Sequence, residues 1–194
     1  MSAIYGLVHL NNKPAQHEDL HKMQEAMHYF GPDGKYLWCD GPVALGQLQL
    51  YNSPESLNEK FPILDNDKGL AFVSAARIDN RDELFRLLET PSSLRFNKTD
   101  SGLIFDAYIK WGKECVNYLL GDWSFAVWDS NKNELFIARD HHGISGIYYY
   151  YSNDFFVFAT SLKGLLTLTK VPKRINELSV AQVLVSWPGD GLQT

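Results

Sequence analysis

The spacing of apolar positions changes several times along the 194 residues, and each change marks an element. Ile4 to Leu10 is a short apolar run that predicts a buried strand. From His17 to Phe30, the residues Leu20, Met23, Met27 and Phe30 recur every three or four positions. That is one face of an amphipathic helix, and Gly31-Pro32-Asp33-Gly34 stops it. Lys35–Cys39 and Val43–Leu50 predict two strands joined by Asp40-Gly41-Pro42, followed by a polar loop from Asn52 to Lys60. Leu70 to Ile78 predicts another apolar strand.

Helical spacing returns over Asn80–Leu88 and more clearly over Thr99–Trp111. In the second stretch Thr99 or Ser101 is the candidate cap, and Leu103, Ile104, Ala107, Tyr108 and Trp111 form the buried face. Cys115–Leu120 predicts a further helical turn ending at Gly121. The last third is β-rich. Trp123–Trp128 and Glu134–Ala138 flank the turn-forming 129–133, and Ile147–Tyr151 and Phe155–Thr160 flank Ser152-Asn153-Asp154. A short helix is predicted over Ser161–Leu168, and Glu177 opens a helical start that runs into Trp187-Pro188-Gly189-Asp190-Gly191. Runs of strands alternating with runs of helices predict a layered α+β fold and not a parallel βαβ sheet.

Composition narrows the function classes. At 45% hydrophobic and 21% charged the chain is globular. A domain of this length buries roughly 70% of its unfolded surface, enough to dispense with disulfide staples. The net charge of −5, without a block of like charges, argues against nucleic acid. Cys39 and Cys115 are isolated, so one disulfide is arithmetically possible, but reduced thiols in a cytoplasmic protein are the expectation. MSAIYGLVHL has neither the charged start nor the long apolar core of a signal peptide, and no apolar run approaches the ~20 residues of a membrane helix.

Several separated segments, in order, resemble the class II glutamine amidotransferase domain that opens asparagine synthetases. Phe30-Gly31-Pro32-Asp33 resembles that family's Arg-Gly-Pro-Asp loop, and Leu45–Leu50 its Gly-His-x-Arg-Leu strand. Ala75-Ala76-Arg77-Ile78-Asp79-Asn80 stands where the family has Asn-Gly-Glu-Ile-Tyr-Asn, and Thr99-Asp100 fits its Ser-Asp step. Gly121–Asp129, Ala138–Ile144, Tyr148-Tyr149 and Phe158–Ser161 complete the pattern. The resemblance implies the four-layer αββα sandwich of N-terminal-nucleophile (Ntn) hydrolases, an α+β fold of two antiparallel sheets.

It also implies a chemistry that this sequence has largely lost. The family attacks glutamine with a cysteine exposed as residue one, whose own amine is the base. Ser2 stands there, a far poorer nucleophile at neutral pH. The family's oxyanion hole, an Asn side chain and the amide of the following Gly, falls at Ala75 and Ala76. Losing one such donor costs on the order of 10²–10³ in rate. The arginine that clamps the substrate carboxylate becomes Gln49, and the glutamate beside the substrate ammonium becomes Arg77. Of the substrate contacts only Asp100 survives, and it reads as a helix N-terminal residue favourable to the dipole before it reads as a ligand contact. These losses predict a domain inactive toward glutamine.

Other candidates have structural readings. His17 and His21 are four apart but lack a third ligand, so no metal is expected; His141-His142 precede Gly143 in a turn, and Arg139-Asp140 reads as a structural pair. Tyr148–Tyr151 reads as packing residues of a strand, with an aromatic ligand platform as the alternative.

The resemblance implies an amidotransferase-like domain at 1–170, a linker at 171–194, and a synthetase domain beyond it. ATP and Mg are expected only in that synthetase domain, with no cofactor in this chain. The run Arg77–Leu84 resembles peptide-maturation members, pointing to a lasso-peptide or other natural-product cyclase as the parent. The expected partner is the synthetase domain, with a precursor peptide or its processing enzymes as further candidates. The alternatives are a serine Ntn amidohydrolase, the working amidotransferase of an asparagine synthetase, and a stand-alone binding module.

Overall fold

The computed structural model describes residues 2–186. Nine strands form two antiparallel sheets. The first sheet contains β1 (Ala3–His9), β2 (Gly34–Asp40), β3 (Val43–Gln49), β8 (Tyr148–Tyr151) and β9 (Phe155–Ala159), in the order β2-β3-β1-β9-β8. The second contains β4 (Ile63–Asp65), β5 (Leu70–Ile78), β6 (Gly121–Asp129) and β7 (Glu134–Arg139), in numerical order. α1 (His17–Ala26) and α5 (Leu162–Leu165) pack on the first sheet. α2 (Arg81–Leu87), α3 (Ser92–Arg95) and α4 (Asp100–Trp111) follow β5, and α2 and α4 share a core with the second sheet. α6 (Glu177–Leu184) comes last and has no buried residue.

The strand alternation produces the layers. On β1, Ala3, Tyr5 and Leu7 face α1, while Ile4 and Val8 face the opposite sheet. On β6, Trp123, Phe125 and Val127 face α4, while Ala126 and Trp128 face inward. The protein thus has three apolar layers, two sheet–helix and one sheet–sheet. Trp123, Phe125 and Phe136 therefore belong to the helix-side core and Trp128 and Phe158 to the inter-sheet core, so these five aromatics do not share one core. Burial of a side chain as large as Phe125 contributes about 1.5–3 kcal/mol.

Two glycines set the shape where the site lies. Gly46 faces Tyr5 so closely that a Cβ would enter its ring. Gly121 has φ +133°, a left-handed conformation favouring glycine, and a Cβ there would run into the Arg77 carbonyl. It starts the nine-residue register between β5 and β6, from Ile78↔Gly121 to Leu70↔Asp129.

Most predicted elements are present with shifted ends. The first helix stops at Ala26 and tightens to a 3₁₀ turn over His28–Phe30, and the helical turn before Gly121 is 3₁₀ over Gly112–Tyr118. The polar loop holds a 3₁₀ turn at Glu55–Asn58. β4 and α3, of three and four residues, were not anticipated, being too short to show a period. Trp187–Gly191 lie outside the described residues. Cys39 and Cys115 are free thiols packed against different cores. No helix among the described residues is long and apolar enough to cross a membrane.

Candidate functional site

Ser2 precedes β1 and shares parity with Ile4 and Val8, which places it at the mouth between the sheets. Gln47 and Gln49 on β3 share the inward parity of Val43 and Leu45, and Ala75 on β5 approaches from the facing sheet. The structure therefore brings Ser2, Gln49 and Ala75 to one end of the sandwich.

A directional hydrogen-bond relay fills that end. β4 pairs only with Leu70–Phe72, and beyond it the Ser74 N–H donates to Gln47 Oε1 at 2.9 Å. That bond fixes the orientation of the Gln47 amide, whose Nε2 donates to Gln49 Oε1 at 2.8 Å. Gln49 Nε2 in turn donates to Glu59 Oε2 at 2.9 Å. Ser2 Oγ accepts the Leu50 N–H at 3.0 Å and lies 3.4 Å from both Gln49 Oε1 and the Leu50 carbonyl. The other Glu59 oxygen accepts from Ser101 Oγ at 2.5 Å and Ser101 N–H at 3.3 Å, and Ser74 Oγ donates to Ser101 Oγ at 2.7 Å. Gln47 is fully buried and Gln49 is 2% exposed, so these bonds replace water for groups that would otherwise be costly to bury.

Asp100 opens α4 beside this relay. Thr99 caps the helix, its side chain accepting the Gly102 N–H at 3.0 Å. The Asp100 carboxylate accepts the Ile78 N–H at 3.1 Å and is paired with the Arg81 guanidinium, which also donates to the Lys98 carbonyl at 2.6 Å. It thereby ties the end of β5 and the start of α2 to the start of α4. Burial raises the Asp100 carboxyl above its ordinary range, against the pull of the Ile78 N–H and Arg81. Burial likewise raises Glu59, opposed by its bonds from Ser101 and Gln49.

Ala75 and Ala76 lie inside the unbroken β5–β6 register, opposite Ser124 and Trp123. Ala75 puts only a methyl group into the inter-sheet core. Ala76 keeps its backbone N–H, which alternation aims along the same edge as those of Ser74 and Ile78. Arg77 is half exposed at the end of the strand and pairs with Asp79 at 3.1 Å and with Asp122 across the ladder at 3.1 Å. It is not part of the relay. Asp140, expected to pair with Arg139, instead accepts the N–H groups of Ile144 at 3.0 Å and Ser145 at 2.8 Å. Among the described residues no cluster of three or more metal-ligating side chains occurs.

The residue that sequence reading missed is Glu59. It sits in a polar loop without periodicity, and nothing local signals that its carboxylate turns inward.

Two antiparallel sheets face to face between helices, with the first strand's start at the mouth, define the class II amidotransferase form of the Ntn-hydrolase sandwich. The glutamine phosphoribosylpyrophosphate amidotransferase of Bacillus subtilis, solved with ADP and GMP, superposes with a TM-score of 0.68 at 14% identity, covering 85% of this chain and 43% of that one. The sequence profile of the glutamine amidotransferase domain family matches residues 1–189, and the chain belongs to that family. Asparagine synthetases (glutamine-hydrolyzing) 3 and 2 of Bacillus subtilis are 24% and 27% identical to it, over 94% and 91% of this chain but only 30% and 24% of their own lengths. The amidase chry2 of Gibberella zeae is 25% identical over 80% of this chain and 23% of its own. The chain thus spans less than a third of these relatives, and corresponds to the amidotransferase domain of asparagine synthetase-like proteins.

Proposed function

We propose that this is a glutaminase-inactive amidotransferase-like domain that supports the synthetase part of an ATP-dependent, amide-forming cytoplasmic enzyme. The observation that carries this reading is the relay. Where the resemblance calls for a free nucleophile and a cationic carboxylate clamp, Ser2 is hydrogen-bonded to Leu50 and the Gln49 amide is held by Glu59. The oxyanion position at Ala75 offers no side-chain donor, which leaves at most the Ala76 N–H. A substrate carboxylate entering here would meet Glu59 in place of an arginine, and like charges repel.

The supporting role rests on the surface. α6 exposes Leu178, Val183 and Leu184, at 66%, 77% and 79%, and Ile175 precedes it at 81%. A helix whose apolar residues are exposed on all sides favours a covering partner, and the synthetase domain of the same parent is the partner this reading supplies. ATP and Mg would bind there and not to this chain. Within this reading the parent is a peptide or natural-product cyclase of lasso-peptide type, which uses an internal amine and needs no ammonia. A recruiting role toward a precursor peptide is the second reading, favoured by the exposed Tyr149 and Tyr151 on the edge strand β8.

The direct test is ammonia release from glutamine by the purified protein. Background rate is expected, and turnover above it would overturn the assignment.

A further inference from the structure

The relay ends on a carboxylate, and its donors form a receptor of their own. Gln49 Nε2 comes from β3 of one sheet; the Ser101 N–H and hydroxyl come from the first turn of α4, on the other. Together they place three donors on two carboxylate oxygens, at the positive end of a twelve-residue helix. Their directions are set from behind. Ser74 N–H orients Gln47, Gln47 orients Gln49, and Ser74 Oγ occupies the Ser101 oxygen so that its hydroxyl proton points outward to Glu59. Every donor is thus preset for an acceptor bearing no proton of its own.

We infer that this cluster is a carboxylate-binding site occupied by the protein's own Glu59, carried in on the 51–61 segment as a tethered ligand. The segment is fastened on both sides of the glutamate. At one end the Tyr51 N–H donates to Asp33 Oδ2 at 2.7 Å, and at the other Phe61 is buried at 8% exposure. Between them Ser53 and Ser56 exchange hydrogen bonds within a turn, while Leu57 stands 65% exposed. The segment therefore contributes little core of its own beyond Ser56 and Phe61, and Glu59 is its polar anchor to the sandwich. The site shares the Glu59–Gln49 bond with the proposed function, but it concerns binding and not turnover, so its test reads stability and leaves the ammonia assay to judge the glutaminase assignment.

The test is chemical rescue. Glu59→Ala removes the CH₂–COO⁻ group and leaves the receptor vacant, and acetate restores those atoms. Loss of the three bonds is expected to lower the thermal midpoint by about 4–10 °C. Sodium acetate should then raise the midpoint of the variant progressively, while sodium chloride at equal ionic strength does not, and wild type should respond equally to both salts. An unchanged midpoint in E59A would show that Glu59 anchors nothing. A lowered midpoint that acetate and chloride shift equally, up to about 100-fold excess over the millimolar range, would overturn the receptor. If E59A does not fold, the isosteric E59Q serves. It must leave at least one donor facing an amide NH₂, so hydrogen exchange at Ser101 and across 51–61 should quicken, and exchange equal to wild type would refute the inference.

Discussion

The relay makes a sharp prediction at Gln47. This side chain is fully buried and bonded at both ends, accepting the Ser74 N–H at 2.9 Å and donating to Gln49 at 2.8 Å. Leucine is close to it in size, so Gln47→Leu creates little cavity and isolates the polar effect. The substitution strands the Ser74 N–H, which lies beyond the last residue paired with β4 and has no water to turn to. A buried donor left unsatisfied costs about 1–3 kcal/mol. The Gln49 oxygen retains only the longer approach of Ser2 Oγ at 3.4 Å. Extra apolar burial by leucine offsets roughly 1 kcal/mol of this. The weakened Gln49 bond adds about 1 kcal/mol, so the net loss is about 1–3 kcal/mol, or about 2–12 °C in the thermal midpoint of a protein this size. Urea unfolding followed by the five tryptophans measures it directly. Gln49→Leu should show a comparable loss, and the double variant should fall short of the sum by about 0.5 kcal/mol or more, because the second change removes a group that the first has already orphaned. A Gln47→Leu protein as stable as wild type, or strictly additive losses, would refute the directional relay.

Two further outcomes follow from the structure. Burial alone would raise the Asp140 carboxyl, but the N–H groups of Ser145, Ile144, Gly143 and His142 outweigh it and hold the group below its ordinary range. The unfolded chain therefore takes up the proton first as pH falls, so the stability contributed by Asp140 is present above about pH 3.9 and is lost as pH drops through the lower folded value; the difference between the urea midpoints of wild type and Asp140→Asn should be full at neutral pH and shrink as pH falls below the ordinary carboxylate range, and a constant difference would contradict the assignment. In the parent, deleting residues 1–170, or 1–186 so that α6 goes too, should leave a synthetase that is insoluble or inactive, whereas Ser2→Ala should change its turnover little. Normal turnover by the truncated parent would remove the supporting role and favour recruitment through the tyrosine edge.

Much of the architecture was readable because it depends on period. The apolar runs of β1, β3, β5 and β6 mark buried strands, and α4 follows from its three-and-four spacing capped at Thr99. β4 and α3 were invisible because three or four residues carry no period, and they form only against neighbours already in place. The aromatics Trp123 and Trp128 looked alike in sequence, yet five positions apart on a strand they face opposite layers. At the candidate site, the two inward-facing amides at positions 47 and 49 were a signal, since polar residues two apart on a buried strand must find partners. Their partner was not legible. Glu59 meets Gln49 only after β3 turns back through the 51–61 segment, and its other contact, Ser101, lies 42 residues further on.

The proposed loss of glutamine chemistry rests on three changes together, a serine for the nucleophile, no side-chain oxyanion donor at Ala75 and an amide for the clamp at Gln49, so that no one replacement restores it. The measurement that tests it most directly is enzyme-coupled detection of ammonia from glutamine with wild type and Ser2→Cys side by side. Both should stay at the no-enzyme rate, because Ser2→Cys still faces a methyl group at Ala75 and the Glu59-bound amide of Gln49. Ammonia released above that rate by either protein would contradict the account.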